Sequence, residues 1–164
     1  MVMTEKANTI LIVDDDPVNL RLMERLLHHE YNVVTANDGS EALEILGHQD
    51  ISLIMSDQIM PRMTGIELLR ASQAINSDVV RMLVTARTDN DISIEAINDA
   101  GVVRVIHKPF DRQLVLQFVK SALAQRQTLM ECRQANIRIE QVISKLKRDT
   151  ENLNPFAALA RSSK

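Results

Sequence analysis

Short apolar runs alternate with segments of helical periodicity along most of the chain, and no other feature of the sequence restricts the fold as strongly. The first run, Thr-Ile-Leu-Ile-Val at 9–13, is continuous, which is typical of a strand buried on both faces of a parallel sheet. Parallel strands need crossover connections, and right-handed crossovers place helices on both faces. We therefore predict an α/β fold with a doubly wound, five-stranded parallel sheet.

The segments between the runs carry helix-start signals. Asp16 followed by Pro17 is a typical N-cap and first helical residue, and Asp111 is expected to cap the last helix. The predicted strands are 9–13, 32–36, 51–56, 79–84 and 102–106, and the predicted helices begin at 17, 41, 64 and 89 and after 111.

No credible helix break follows Asp111 until Asn154-Pro155, so we predict a final helix of up to about 40 residues, about 60 Å long. Beyond residue 125 its apolar positions recur at alternating spacings of three and four, which is a heptad seam whose natural partner is another helix. Asn136 lies at an a-type position, a familiar way to fix register. The seam consists of Leu129, Cys132, Asn136, Ile139, Ile143, Leu146, Thr150 and Leu153.

The charge distribution also separates this helix from the rest. Residues 1–119 contain 10 Lys+Arg and 18 Asp+Glu, whereas residues 120–164 contain 9 and 4, within a net charge of −3. Such asymmetry suggests two functions. We predict a flexible N-terminus at 1–8, an α/β domain at 9–124, a coiled-coil extension at 125–153 and a tail at 154–164.

Several partner classes are not expected. The basic excess of the last helix has no interleaved aromatic residues and no helix-turn-helix follows it, so we do not expect nucleic-acid binding. No apolar run reaches the roughly 18 residues that span a bilayer, and residues 1–8 lack the apolar stretch of a signal peptide. With Cys132 as the single cysteine, no internal disulfide can form, and we predict a cytoplasmic protein.

Polar side chains follow four of the five predicted strands where each strand ends. Asp14 and Asp15 follow the first strand, Asp57 the third, Thr85 the fourth and Lys108 the fifth. Ligand sites in open α/β sheets lie beyond the carboxyl ends of the strands. We therefore expect these residues to share one edge of the sheet.

Three carboxylates at one edge repel one another unless a divalent cation lies between them, and such oxygen ligands suit Mg²⁺. With magnesium present, an aspartate can attack a phosphoryl donor. Lys108 then supplies a second positive charge and Thr85 a hydroxyl donor for the phosphoryl oxygens. Positioning and charge stabilisation of this kind are typical of phosphoryl transfer with a carboxylate nucleophile.

Four motifs together resemble the receiver domain of two-component response regulators. They are Leu-Ile-Val-Asp-Asp-Asp-Pro at 11–17, Asp-Gln-Ile-Met-Pro-Arg-Met-Thr-Gly at 57–65, Val-Thr-Ala at 84–86 and Lys-Pro-Phe at 108–110. They occur in order, and the resemblance covers residues 9 to about 122. It implies a flavodoxin-like sheet with strand order 2-1-3-4-5 and a phosphoprotein acting in signal transduction, not an enzyme that turns over a metabolite.

The resemblance assigns roles to individual residues. It implies that Asp57 is the phosphoacceptor and that Asp14 and Asp15 hold Mg²⁺, with Asp57 and the backbone carbonyl of Ile59 as further ligands. It implies that the donor is a sensor histidine kinase or a phosphotransfer protein in a phosphorelay. The chain's own chemistry is then limited to self-phosphorylation and autodephosphorylation.

The resemblance also implies that Thr85 moves to meet the phosphate, that Lys108 pairs with it and that the Lys108–Pro109 bond is cis. The sequence departs from the family at Val105, where an aromatic residue usually completes the switch. We therefore expect the signal to leave through the fourth helix, the fifth strand and the long last helix. This helix would form a homodimer through 125–153 or bind a helical partner or output domain.

Ile59 and Arg87 lie where the family tunes dephosphorylation. Because the apolar Ile59 side chain cannot orient a water molecule, we hypothesise a long-lived phosphoryl group.

Two alternatives remain open. One is an aspartate-nucleophile phosphatase of the haloacid-dehalogenase type, whose first-strand aspartate would be the nucleophile and which needs a further acidic pair after the lysine, where only Asp111 is near. The other is the receiver fragment of a larger regulator with an enzymatic or DNA-binding output domain.

Overall fold

The computed structural model of the protein describes residues 8–86 and 93–152. Its strands are β1 (Thr9–Val13), β2 (Asn32–Ala36), β3 (Leu53–Asp57), β4 (Val80–Ala86) and β5 (Val102–Lys108). Its helices are α1 (Pro17–Leu27), α2 (Gly39–His48), α3 (Gly65–Ile75), α4 (Ile94–Asp99) and α5 (Arg112–Asn152). All strand pairs are parallel and the order is β2-β1-β3-β4-β5. This confirms the predicted fold and strand order.

The sheet separates two apolar cores, and β1 contributes to both. Ile10 and Ile12 belong to the core that α1 and α5 cover. Leu11 and Val13 belong to the core that α2 and α3 cover. Because successive side chains of a strand point to opposite faces, the continuous apolar run of β1 is buried on both sides, as predicted.

The helix starts follow side-chain caps. The Asp16 carboxylate accepts the Val18 amide at 2.8 Å, which confirms the predicted cap of α1. Thr64 and Glu67 form a reciprocal capping box at the start of α3. The Asp38 carboxylate caps α2, so this helix begins at Gly39, two residues before the predicted start.

α4 is described only from Ile94 to Asp99. The predicted start of this helix at Asp89 lies outside the described residues, as does Arg87. Most of the predicted N-terminus 1–8 and the predicted tail 154–164 also lie outside them.

α5 is one continuous helix of 41 residues. The Asp111 carboxylate accepts the Leu114 amide at 3.0 Å, which confirms its predicted cap. The chain divides into two compact units, 1–124 and 125–164. Within the first unit, Val115, Val119 and Leu123 of α5 are buried against the sheet core. Among the described helices, none combines the length and apolar character needed to cross a membrane.

Candidate functional site

At the carboxyl edge of the sheet, two of the predicted carboxylates pair with the same lysine. The Lys108 ammonium lies 3.2 Å from Asp14 Oδ2 and forms a second, close ion pair with Asp57 Oδ1. Asp14 and Asp57 are only 6% and 9% exposed. Asp57 and Lys108 are the last residues of β3 and β5, and Asp14 directly follows β1, so the parallel sheet places the three side by side. The predicted Lys108–Pro109 cis bond is confirmed.

Asp14 is oriented by the start of α1. Its Oδ1 accepts the backbone N–H of Asp16 at 2.9 Å and the amide N–H of Asn19 at 3.1 Å. Oδ2 is therefore left facing Lys108. Sequence reasoning missed Asn19. The available signal was a polar amide in the first turn of a helix that directly follows an acidic strand end.

Asp57 is oriented by the loop that follows β3. Its Oδ2 accepts the backbone N–H of Ile59 at 2.8 Å. Gln58 fixes this loop, because its N–H donates to Val84 O at 2.8 Å and its carbonyl accepts Gly65 N–H at 3.0 Å. A Cβ on Gly65 would lie 2.2 Å from the Asp57 carbonyl oxygen, so only glycine permits this approach.

Burial is the largest single cause acting on the pKa values of Asp57 and Lys108. Desolvation by burial raises the pKa of Asp57 above its ordinary value; Lys108 opposes this shift and Asp14 adds to it. Burial by itself would lower the pKa of Lys108, but the adjacent Asp57 and Asp14 outweigh it and raise that pKa above its ordinary value. The site is therefore a partly desolvated pair of carboxylates, Asp14 and Asp57, that binds positive charge; it is called the acid pair below.

Other predicted site residues lie at or just beyond the ends of strands of the same sheet. Thr85 is buried at the end of β4, where it is paired in register with His107, and its hydroxyl donates to the Ala86 carbonyl at 3.4 Å. Asp15 is exposed. Val105, which replaces the family's aromatic residue, packs on the α2–α3 core.

A cavity of about 250 Å³ opens beside the acid pair. Asp14, Asp57 and Lys108 form part of its wall, and the remainder is mainly apolar. The other lining residues are Ile12, Val13, Asn19, Leu22, Met23, Met55, Val84, Pro109 and Phe110.

The donor set suits a hard divalent cation. Asp14 and Asp57 present carboxylate oxygens to one point, and the Lys108 ammonium already neutralises that point. Mg²⁺ binds through one or two carboxylates and keeps several waters. Within residues 8–86 and 93–152, no three His, Cys, Asp or Glu side chains converge as a metal cluster. The fit to magnesium therefore rests on this pair.

The strand order and the helices on both faces place the protein among the CheY-like, flavodoxin-type α/β proteins. The chain belongs to the response regulator receiver domain family, whose sequence model matches residues 10–120.

Curated relatives of the chain are regulators and signalling proteins. The chain is 32% identical to the hydrogenase transcriptional regulatory protein HoxA of Cupriavidus necator over 121 residues, 74% of this chain and 25% of HoxA. It is 33% identical to the transcriptional regulatory protein GlrR of Escherichia coli over 124 residues, 75% of this chain and 28% of GlrR. The chain thus spans about a quarter of the length of these relatives.

Solved structures agree with the family. The signal receiver domain of an HD-domain protein from Pseudomonas fluorescens superposes with a TM-score of 0.70 at 30% identity, covering 74% of this chain and 98% of that one. A response regulator receiver domain protein from Clostridium thermocellum superposes with a TM-score of 0.69 at 26% identity, covering 74% of this chain and 98% of that one.

Proposed function

We propose that Asp57 accepts a phosphoryl group from a sensor histidine kinase or a phosphotransfer protein and that α5 transmits the resulting signal. The observation that supports this most is the Asp57 carboxylate, buried at the end of β3 and bridged by Lys108 to Asp14. Family membership supports the same role. It favours Asp57 over Asp14 as nucleophile, so we do not retain the phosphatase alternative.

The proposal includes a magnesium site formed by Asp14, Asp15, Asp57 and the backbone carbonyl of Ile59. Bound Mg²⁺ would supply positive charge to the phosphoryl oxygens. The convergence of Asp14 and Asp57 supports this site. Asp15 follows Asp14 directly, and its exposed side chain leaves it accessible to a hydrated cation.

In the proposed transfer, a carboxylate oxygen of Asp57 attacks phosphorus and forms a P–O bond. The P–N bond of the donor phosphohistidine breaks, and its electron pair leaves with the imidazole. Lys108 pairs with a phosphoryl oxygen instead of with the free carboxylate, and the Thr85 hydroxyl donates to another. Asp14 keeps its hydrogen bonds from the Asp16 N–H and the Asn19 amide throughout, so it stays in place for the cation.

Residues 125–153 are proposed as the output element, through a homodimer or a helical partner or output domain. Their described part is helical and its side chains are largely exposed. The alternative that the chain is the receiver part of a larger regulator stays a prediction. We also propose that the protein is cytoplasmic. Its own chemistry, in this proposal, is limited to self-phosphorylation and autodephosphorylation.

The test is incubation with acetyl phosphate and Mg²⁺, followed by intact mass measurement. The wild-type protein should gain one phosphoryl group, and Asp57→Asn should gain none. Asp50→Asn, which removes an exposed carboxylate elsewhere, should behave as wild type. Uptake that persists in Asp57→Asn would overturn the proposal.

A further inference from the structure

The second half of α5 carries a row of exposed residues, here called the α5 stripe. Ile139 is 56% exposed, Ile143 46% and Leu146 58%, although such side chains gain most from burial. Its described members are Leu129, Cys132, Asn136, Ile139, Ile143, Leu146 and Thr150. Residues 125–152 provide about four heptads, enough for a coiled coil.

We propose that a second copy of this chain covers the α5 stripe, parallel and in register, so that each stripe residue faces its own counterpart. This inference rests on the output role proposed for α5 and specifies its partner. In heptad terms Leu129, Asn136 and Ile143 occupy a positions, and Ile139 and Leu146 occupy d positions.

Asn136 decides the orientation. In a parallel, in-register pair an a position faces the same a position, so the two Asn136 amides face each other and each can both donate and accept. In an antiparallel pair a positions face d positions. The antiparallel register with the largest apolar overlap would bury Asn136 against Ile139, where the amide has no partner.

The charges on one flank do not decide the orientation. Arg126, Arg133, Glu140 and Lys147 occupy e positions. The same antiparallel register would bring Arg133 and Glu140 together twice, but it would also bring the like charges of Arg126 and Lys147 together twice. Exposed ion pairs of this kind contribute little, whereas an unsatisfied buried amide costs considerably more. The Asn136 contact therefore outweighs the two ion pairs, and the parallel pair is favoured.

The other flank is compatible with the parallel pair. Ala135 and Val142 occupy g positions, where they face Glu140 and Lys147 of the second copy. These pairs contain no like charges, and the aliphatic stem of Lys147 can cover Val142, which is 57% exposed in the single chain. In-register pairing places each residue opposite the same residue of the other copy. An identical chain therefore always supplies the partner amide for Asn136.

Disulfide trapping on the full chain tests the orientation, because Cys132 is the single cysteine. Under mild copper-catalysed oxidation, the wild type and Cys132→Ser/Leu146→Cys should both form covalent dimers. The control Cys132→Ser/Ser144→Cys places the thiol on the opposite side of the helix and should react about tenfold more slowly, because a disulfide needs its Cα atoms within about 7 Å.

Sedimentation of the same proteins measures the stoichiometry. A dimer is expected at micromolar concentration, and Asn136→Leu should give a mixture of oligomers because the register is no longer specified. A monomer, a trimer or a tetramer for the wild type overturns the inference. An antiparallel pair would also overturn it. That pair would be identified if a mixture of wild type and Cys132→Ser/Ile143→Cys forms a mixed disulfide while Cys132→Ser/Leu146→Cys fails to react.

Phosphoryl uptake measured on the same samples separates this inference from the proposed function. Normal uptake at Asp57 without a dimer overturns the helix pairing alone. A trapped dimer that takes up no phosphoryl group overturns the phosphoacceptor role alone.

Discussion

The acid pair and its lysine determine how the site responds to pH. Burial raises the pKa of Asp57 even though Lys108 lowers it. The folded protein therefore binds the Asp57 proton more tightly than the unfolded chain does. Between the ordinary carboxyl pKa and this raised value, the stability contributed by Asp57 decreases as pH rises.

Lys108→Met should raise the pKa of Asp57 further, because it removes the charge that opposes burial. Side-chain carboxyl NMR in metal-free buffer measures this directly. The variant should lose stability at neutral pH, and the loss should shrink as pH falls and Asp57 becomes neutral. Lys120→Met, at an exposed position of α5, should leave the Asp57 pKa unchanged; an unchanged value in Lys108→Met would contradict the assignment.

Gly65→Ala should damage the loop that positions Asp57. The new Cβ would lie 2.2 Å from the Asp57 carbonyl oxygen and 2.8 Å from Leu83 Cδ1. Overpacking of this kind costs about 1–3 kcal/mol, which denaturant unfolding would measure. Gly47→Ala is the matched control: nothing lies within 4 Å of its Cβ, and a helical alanine should stabilise by up to about 1 kcal/mol. Equal stabilities for the two variants would refute the packing argument.

Ile59 should control the lifetime of the phosphoryl group. Its side chain is 63% exposed and its backbone N–H binds Asp57, so it borders the acceptor. Ile59→Asn places an amide there that can orient an attacking water, and we expect dephosphorylation several-fold faster. Ile75→Asn, at a 45% exposed position of α3, should have no effect on the decay of the phosphorylated mass.

The site residues that could be predicted are those at strand ends. Asp14, Asp57 and Lys108 converge because parallel strands end at one edge, which the order of the runs already implies. Asn19 was missed because a polar amide early in α1 contacts Asp14 only when α1 leaves β1 at a suitable angle, which the sequence pattern does not specify. The Gly65 approach to Asp57 depends on the path of the β3–α3 loop, which no periodicity encodes.

At the scale of elements, a buried arginine connects α3 to β4. Arg81 is 4% exposed and its guanidinium donates to the carbonyl of Asn76, the C-cap of α3, at 2.7 Å and to that of Val79, just before β4, at 2.8 Å. It also donates to Ser72 Oγ at 2.9 Å. The Asn76 carbonyl is one of the groups that a helix end leaves unsatisfied. Burial lowers the pKa of Arg81, so the hydrogen bonds offset a desolvation cost.

Arg81→Lys should destabilise the first unit, residues 1–124 (the receiver unit), by about 2 kcal/mol. An ammonium cannot reproduce the planar fork of donors of the guanidinium, so buried carbonyls are left unpaired. Hydrogen exchange should accelerate first in the last turn of α3. Arg70→Lys is the control, since Arg70 is exposed and pairs with Asp99 at 3.4 Å; its effect should stay within about 0.5 kcal/mol. Equal losses in both variants would exclude a special role for Arg81.

Element boundaries show where sequence patterns lose precision. The prediction ended the fourth strand at Val84 and the fifth at Ile106. The ladder continues through the pairs of Thr85 with His107 and Ala86 with Lys108. Backbone pairing extends these strands after the apolar run ends, and side-chain patterns do not report it.

At the scale of the whole molecule, α5 belongs to both units of the chain. The buried members of its first turns are Val115, Val119 and Leu123, and the first unit ends at Ala124. These buried residues are four apart, whereas the alternating spacing of three and four begins beyond residue 125. The sequence predicted the long helix correctly because it contains no break signal between Asp111 and Asn154.

Truncation should locate the end of the receiver unit. A chain of residues 1–124 keeps Leu123, which is 6% exposed, and should accept a phosphoryl group at Asp57 as the full chain does. A chain of residues 1–121 loses that side chain and should be about 2–4 kcal/mol less stable, the usual cost of removing a buried leucine. Urea unfolding and intact mass measure both properties. A 1–124 chain as unstable as 1–121 would show that the receiver unit needs the second half of α5, and the proposed division between phosphoryl acceptance and helix pairing would then be wrong.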